Sequence, residues 1–358
     1  MINKDFIKWL WVTAWKYKRT PYPRIRWGVG LCSLPIPFSA VFSLGVINLQ
    51  FESGYVVESM SVTAQEASFY SFIVSAVLLV VGVVLIFSEL KSKSRNTSKV
   101  FIASLPGVSR EFPDEILDPA EKEFCREAVI LGQAVMGNDE NLNRQIELYN
   151  SELLVDILNR FIVHDGCKKL YFGGLARIPF LVAYGYMLKN LRCSIVYLDK
   201  FHRDGDWKLL DDENMQIGLY PHRTESITPN RFGEVGLAIG FTTPISQDQL
   251  PENLKGNTLI LSPNQNTERN LVKNQENLNR ISDETCKLID ELTGKIGCKK
   301  IHLFLSVQST LAIDIGRRYQ EGIHKNWVIH NFSPETNSYT WSLELSKSGV
   351  KYESKLVQ

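Results

Sequence analysis

Two long apolar stretches open the chain, and shorter apolar runs separated by polar, turn-rich segments fill the remainder. Residues 27–51 and 67–87 are each long enough to cross a bilayer core of about 30 Å, which takes about 20 helical residues. The second has the uncharged centre Phe72-Ile-Val-Ser-Ala-Val-Leu-Leu-Val-Val-Gly-Val-Val-Leu-Ile-Phe87. The first contains Pro35 and Pro37, breaks that membrane helices tolerate better than soluble ones. It is too long for a cleaved leader and lacks a small-x-small cleavage site. Beyond a polar stretch at 88–99, residues 99–104 read as a strand running into the turn Leu105-Pro106-Gly107. Asp118-Pro119 reads as an N-cap and first helical position, with Glu121 and Glu123 in the first turn, and predicts helices over 119–136 and 140–163. Residues 203–233 are charged and without a clear period. Strands follow at 235–241 and 257–261, then a long helix over 267–294. A closing strand at 339–345 alternates apolar and polar positions.

One phrase occurs twice. Gly166-Cys167-Lys168-Lys169-Leu170-Tyr171-Phe172 returns as Gly297-Cys298-Lys299-Lys300-Ile301-His302-Leu303, an offset of 131 (166 to 297). Each copy continues into a small-residue loop, Gly173-Gly174-Leu175-Ala176-Arg177 or Phe304-Leu305-Ser306-Val307-Gln308. A helical pattern follows with Gly185 or Gly316 at the same offset, then a second apolar run at 194–198 or 327–332. Strand, loop, helix, strand is the parallel βαβ unit, whose ligands sit at the carboxyl ends of the strands. Two copies predict two lobes facing each other across a pseudo-two-fold axis, with a cleft suited to a nearly symmetric ligand.

Charge sets the expected topology. Lys4, Lys8, Lys16, Lys18, Arg19, Arg24 and Arg26 precede the first span; Lys91, Lys93, Arg95 and Lys99 follow the second. The intervening 52–66 has carboxylates and no Lys or Arg, so the positive-inside rule places both termini in the cytoplasm and a short loop outside. Trp9, Trp11, Trp15 and Trp27 interleave with the cations, as in a segment lying along the inner leaflet or a simple aromatic anchor. The net charge of +1 argues against a duplex-binding protein. The six cysteines have no paired metal spacing and read as reduced thiols. The expected division is an interfacial segment at 1–26, a two-helix membrane region at 27–90, a linker at 91–99, and lobes at 100–233 and 234–358.

The stretch Ile301-His-Leu-Phe-Leu-Ser306, the loop to Thr310, the helix Leu311-Ala-Ile-Asp-Ile-Gly-Arg317, then Trp327-Val-Ile-His330 and Tyr339 to Leu345 resembles the SAVED family. These are sensor domains of bacterial anti-phage systems that use cyclic oligonucleotide signals. The resemblance covers about 100–358 and is closest over the last stretch. A Pro often found before the helix is replaced here by Gln308-Ser309-Thr310. It implies an α/β fold of two Rossmann-like lobes, related to the CARF sensors and consistent with the repeat. Two membrane helices ahead of such a domain resemble the anchored effectors of CBASS systems. These imply a multi-pass inner-membrane protein that binds a cyclic oligonucleotide, first of all a cyclic trinucleotide, oligomerises, and disrupts the membrane, with cell death or growth arrest. No other cofactor is implied.

Such a ligand brings several phosphates and bases into the cleft. Helix N-termini suit the phosphates, and the loops after the repeat strands present Gly173, Gly174 and Arg177 on one side and Ser306, Gln308, Ser309 and Thr310 on the other. Bases stack on aromatic rings at about 1–3 kcal/mol each; Phe201, Trp207, Tyr339 and Trp341 follow the second strand of each repeat, with Arg203 nearby. A Gly-Gly pair also fits an ordinary turn, and Trp341 also fits a core position. There is no Walker loop, His-Glu-x-x-His or Gly-x-Ser-x-Gly, so the expectation is a non-enzymatic, metal-free sensor. His302 and His330 read as structural. A membrane-anchored nucleotide-degrading enzyme using Ser306 or His202, and a passive membrane scaffold, stay open as other classes.

Overall fold

The computed structural model describes residues 23–33, 46–52, 56–63, 69–93, 97–105, 111–117, 126–131, 139–151, 167–189, 191–201, 205–211, 216–220, 224–320, 322–346 and 349–353. It comprises two compact units, Met1–Arg95 and Asn96–Gln358.

In the first unit, helix α1 (Pro23–Ser33) is followed by strands β1 (Val46–Glu52) and β2 (Val56–Thr63), paired antiparallel, and helix α2 (Phe69–Lys93). The expected single helix over 27–51 therefore does not form as such. Its last part is a strand because Val46-Ile-Asn-Leu-Gln-Phe-Glu52 alternates apolar and polar residues, a period of 2. Pro35 and Pro37, like most of the expected interfacial segment, lie outside the described residues. α1 crosses α2 with almost no side chain between them: a Cβ added to Gly28 would lie 2.7 Å from the Gly82 carbonyl oxygen, and one on Gly82 would lie 2.5 Å from Cys32 Sγ. The outward positions of α2 are apolar, with Val74, Val80, Val84 and Phe87 all exposed. Among the described residues no helix is long and apolar enough to cross a membrane; the side chains described on α2 are those of 73–89.

The second unit holds two sheets with the same plan. In lobe one, β3 (Thr97–Ala103), β4 (Arg126–Leu131), β5 (Lys169–Leu175) and β6 (Ser194–Lys200) are parallel, and the short β7 (Trp207–Leu209) closes the edge antiparallel, in the order β4-β3-β5-β6-β7. In lobe two, β8 (Glu234–Gly240), β9 (Thr258–Leu261), β10 (Lys300–Ser306) and β11 (Asn326–Ser333) are parallel, and β12 (Ser338–Ser346) and β13 (Gly349–Glu353) extend the edge antiparallel, in the order β9-β8-β10-β11-β12-β13. Read outward from β3 or β8, the order of the first five strands is the same. The duplication thus extends past the stretch in which sequence identity is visible. The strands are near-continuous apolar runs because both faces of a parallel sheet are covered.

The helices of the second unit are α3 (Asp139–Leu148), α4 (Ile178–Met187), α5 (Gln275–Thr293) and α6 (Ser309–Arg317). The helix expected over 119–136 is corrected: Arg126–Leu131 is strand β4, since Ala128-Val-Ile-Leu131 is a short apolar run that fits a parallel ladder beside β3. Of the helix expected over 140–163, α3 is the described part. The helix expected to start at 267 starts at Gln275. There Asn274 caps it, its side chain accepting from the Asn277 N–H at 2.7 Å, after Asn270 has taken the left-handed conformation at φ 58°.

α4 and α6 follow the repeated strands and pack against each other between the sheets; α4 is apolar nearly all round, and α6 buries Ser309–Gly316, its polar residues included. Their crossing is reciprocal. A Cβ on Gly185 would meet the Ile313 carbonyl oxygen at 1.9 Å, and one on Gly316 the Val182 carbonyl oxygen at 2.0 Å; both glycine and contact repeat at the offset of 131 (185 to 316, 182 to 313). This is where the pseudo-two-fold axis runs. One core joins the lobes through it, including Val100, Phe172, Phe180, Tyr184, Leu237, Leu303, Ile313 and Trp327. The outer sheet faces carry smaller clusters, one around Phe101, Tyr171 and Leu198, the other around Ala238, Leu254 and Phe304.

Candidate functional site

In a doubly wound sheet the connections leave in opposite directions at the strand where the order reverses, and the crevice beyond the carboxyl ends there is the usual ligand site. Here that place is between β3 and β5 in lobe one and between β8 and β10 in lobe two. The two crevices open side by side.

A cavity of about 460 Å³ is lined from lobe one by Leu105, Ala176, Arg177 and Ile178, and from lobe two by Thr242, Thr243, Ser306, Val307, Asn331 and Tyr339, among others. A neighbouring cavity of about 300 Å³ shares Ala176, Ile178, Thr242 and Val307 with it and adds Asp199, Lys200, Arg269, Asn270, Gln308 and Ser309. The start of α4 borders both cavities, Arg177 lining the larger, and the start of α6 borders the smaller.

The strand ends are tied together by short bonds. Ser306 Oγ accepts from the Thr243 N–H at 3.2 Å and is bonded to the hydroxyls of Thr242 at 2.8 Å and Thr243 at 2.6 Å. The Phe241 and Thr242 amides both donate to the Ser306 carbonyl at 2.8 Å. In lobe one, the Ser104 amide donates to the Leu175 carbonyl at 3.1 Å. The rims of both crevices are therefore fixed before any ligand arrives.

At the smaller cavity a carboxylate from lobe one reaches the first turn of α6 in lobe two. Asp199, at the end of β6, accepts from Ser309 Oγ at 2.7 Å, Gln308 Nε2 at 2.9 Å, Thr310 Oγ1 at 3.0 Å and the Lys200 N–H at 2.9 Å. Gln308 is itself oriented by Val272, whose N–H it accepts at 2.9 Å and whose carbonyl it reaches at 2.7 Å. Burial pushes the Asp199 carboxyl above its ordinary range, while the donors from Ser309, Thr310, Lys200 and Gln308 pull it back. Asn270 closes the same rim, its Nδ2 donating to the Lys200 carbonyl at 2.9 Å.

Behind the larger cavity lies a buried stack. Phe304 and His330 are face to face with centroids 4.4 Å apart, Tyr339 meets Phe304 edge-on at 4.8 Å, and His302 Nδ1 and His330 Nε2 are 2.8 Å apart. Glu234 Oε1 lies 3.7 Å from His302 Nε2. Burial, and His302 beside it, hold His330 well below the ordinary histidine range. These histidines support the cavity wall and do not open into it. Among the described residues no group of His, Cys, Asp or Glu could hold a metal ion.

Of the residues expected from the sequence, the fold brings Arg177, Ser306, Gln308, Ser309 and Tyr339 to the cavities. Thr310 is fully buried behind them, bound to Asp199. Gly173 and Gly174 are corrected: they lie within β5, not in a loop. Side chains are excluded there because a Cβ on Gly173 would strike Leu198 at 2.4 Å, and one on Gly174, at φ 132°, the Ile102 backbone at 2.2 Å. Trp207 packs edge-on against Phe101 at 4.9 Å on the outer face of lobe one, and Trp341 packs on Phe180 at 6.0 Å. Phe201 sits beside the core under the Lys208 ammonium. None of these three rings lines either cavity. Arg203, like His202, lies outside the described residues.

Asp199, Arg269, Asn270, Thr242 and Asn331 were not expected. Asp199 and Asn331 stand at the ends of the second repeat strands, a position the repeat itself points to. Arg269 and Asn270 fall in what reads as the first turns of a helix.

The sensor domain family SAVED (SMODS-associated and fused to various effectors) matches residues 157–345, more than half of the chain. Among solved structures, the Acinetobacter baumannii Cap4 SAVED/CARF-domain containing receptor with the cyclic trinucleotide 2'3'3'-cAAA is similar at 16% identity and a TM-score of 0.45, over 81% of this chain and 60% of that one. The Moraxella osloensis Cap4 receptor is similar at 17% identity and a TM-score of 0.40, over 80% and 58%. This chain thus spans about 60% of the length of the first of these structures. No curated protein matches it.

Proposed function

The chain belongs to the SAVED family, and from that premise we propose that it is a sensor of CBASS-type anti-phage defence. In this reading residues 96–358 bind a cyclic oligonucleotide, and residues 1–95 act on the inner membrane when it is bound. The observation that carries the sensor reading is the meeting of both switch points in one rimmed cleft. Its two adjoining cavities suit a ligand with several phosphates and bases. The cyclic trinucleotide is the first candidate.

The larger cavity supplies Arg177 and the start of α4 for a phosphate. Tyr339 and Phe332 offer ring surface, and Asn331, Gln249 and Asn337 offer both donors and acceptors to base edges. Among the described residues the cleft's hydroxyls are held in structural networks, Ser306 Oγ by Thr242 and Thr243 and Ser309 Oγ by the buried Asp199, and we read the cleft as one that binds its ligand.

Membrane anchoring is supported by the 25 residues of α2, which at 1.5 Å each exceed the bilayer core of about 30 Å, and by its outward Val74, Val80, Val84 and Phe87. The Gly28–Gly82 approach is of the small-residue kind that packs helices in lipid. Ligand-driven self-association that concentrates these helices would disturb the bilayer.

The test is calorimetric titration of the full chain in detergent with cyclic di-, tri- and tetranucleotides, followed by recovery of the ligand. Binding of one of them, recovered intact, is expected. No binding across the set removes the sensor reading, and a cleaved ligand replaces it with the enzyme. Dye release from proteoliposomes on adding the bound compound tests the membrane action.

A further inference from the structure

The two halves of the cleft share a plan and differ in charge. Strand pairing sets Lys169 opposite Ser194 in lobe one and Lys300 opposite Asn326 in lobe two. By that register Asp199, at the end of β6, corresponds to Asn331, at the end of β11. Arg177, before α4, corresponds to Gln308, before α6. The larger cavity thus combines a helix start with Arg177 and the neutral Asn331, and the smaller combines a helix start with Gln308 and the acidic Asp199.

A helix start attracts negative charge through the partial charges of its unpaired amides. At α6 that demand is met from inside the protein. The Asp199 side chain is 2 % exposed and takes bonds from three side chains of the α6 start, Gln308, Ser309 and Thr310. The Gln308 amide is oriented by Val272 and the Lys200 N–H can only donate, so at least two of the four partners require an acceptor oxygen. Two cationic residues, Lys200 and Arg269, line the same cavity. The surroundings are those of a bound anion, and the anion is a side chain.

We infer that Asp199 is a resident anion that fills the second of two topologically equivalent helix starts, leaving the start of α4, where Ile178 and Pro179 stand in place of Ser309 and Thr310 and Arg177 supplies the charge beside Asn331, as the end of the cleft that accepts a ligand phosphate. Asp199 is in this sense a specificity-determining residue. A ring-shaped ligand with pseudo-symmetric phosphates is bound in one sense, because only one half of the cleft has room for its charge at a helix start. This deepens the sensor reading and rests on it for the ligand. The occupancy of the α6 site can be tested without that ligand.

The full chain in detergent is melted in sodium formate, sodium phosphate or sodium chloride at equal ionic strength, followed by tryptophan fluorescence, for the wild type, Asp199→Ala and Asp199→Ser. Asp199→Ala leaves a carboxylate-sized space facing the freed donors; Asp199→Ser leaves a smaller one, keeps a polar group there and serves where Asp199→Ala does not fold. Expected is a rise in midpoint of about 3 °C for the variants in formate or phosphate over chloride, at an anion concentration about ten times its Kd. The wild type should show no such rise. Equal responses of variant and wild type overturn the inference. Anion rescue in a chain that binds no cyclic oligonucleotide retains the role of Asp199 and removes the sensor reading; cyclic oligonucleotide binding without anion rescue does the reverse.

Discussion

Replacing Gly316 by alanine sets two effects of opposite sign against each other. On an isolated helix the change is favourable by about 1 kcal/mol, because glycine carries more backbone entropy into the unfolded chain. In this fold the new Cβ would lie 2.0 Å from the Val182 carbonyl oxygen and 2.7 Å from its carbon. A close carbon–oxygen contact is about 3.3 Å, so α4 and α6 must separate by about 1.3 Å at their crossing. A gap of that size forfeits a quarter to a half or more of the dispersion energy of the contacts it opens. The residues concerned include Leu181, Val182, Tyr184, Ala312, Ile313 and Ile315, all buried. Overpacking of this kind costs about 1–3 kcal/mol, and the backbone contact puts it at the top of that range. The net loss is then about 2 kcal/mol, a fall in midpoint of about 4–8 °C for a domain of this size. Thermal unfolding of the full chain in detergent by tryptophan fluorescence measures it. Gly256→Ala, where nothing lies within 4 Å of the added Cβ, is the control and should be near neutral. Gly185→Ala should match Gly316→Ala, and the double variant should cost less than the sum, since one separation of the helices accommodates both methyl groups. A Gly316→Ala chain as stable as the wild type would refute the close crossing, and additive losses would refute the shared axis.

Three further outcomes follow from the same structure. Arg177→Ala should weaken the proposed cyclic oligonucleotide binding about tenfold by calorimetry, the loss of one charge-assisted contact, with the melting midpoint unmoved. His330 is held below its ordinary pKa of 6.5 by burial and by His302, so below pH 6.5 the unfolded chain takes up a proton that the fold refuses. Stability is therefore full above pH 6.5 and declines as the pH falls beneath it, and His330→Gln should flatten that decline in melting curves from pH 7 to 5. Val80→Arg, on the outward face of α2, should cost about 3 kcal/mol if that face meets lipid; the variant should leave the membrane fraction under alkaline carbonate while the wild type stays.

The repeat was legible because its two strands and the glycine of each helix obey constraints that leave few choices. Lys169–Leu175 and Lys300–Ser306 are buried on both faces along their centres and so are mostly apolar there, and Gly185 and Gly316 are each pressed against the carbonyl of the other helix. Elements lacking such a constraint were misread. Arg126–Leu131 is an edge strand of six residues with two charges, and a helical reading of its neighbourhood rests on the start signal Asp118-Pro119 with Glu121 and Glu123. Residues 46–52 were absorbed into an apolar span although Asn48, Gln50 and Glu52 alternate with apolar residues, because a long hydropathy window averages that alternation away. Aromatic residues were the weakest guide: Trp207 and Trp341 follow the right strands but point to sheet faces, and position along the chain says nothing of which face needs covering.

Asp199 was missed for a reason that lies in the register. The phrase beginning Gly166-Cys167 sets the offset at 131 (166 to 297), and at that offset Asp199 falls on His330, a buried residue stacked on Phe304 at the opposite sheet face. Between helix and second strand, lobe two carries one residue more, and the strand pairing is offset by 132 (194 to 326). A shift of one residue in a strand turns every side chain to the other face, so the two offsets give opposite answers about what faces the cleft. Only the second places Asp199 and Asn331 in equivalent positions at the two helix starts. The insertion is invisible in a comparison of the two copies by identity, because no residue after the helices is shared closely enough to reveal it. What distinguishes the two halves of the cleft, an acid on one side and its amide on the other, becomes readable once the hydrogen bonds of the sheets fix which residues correspond.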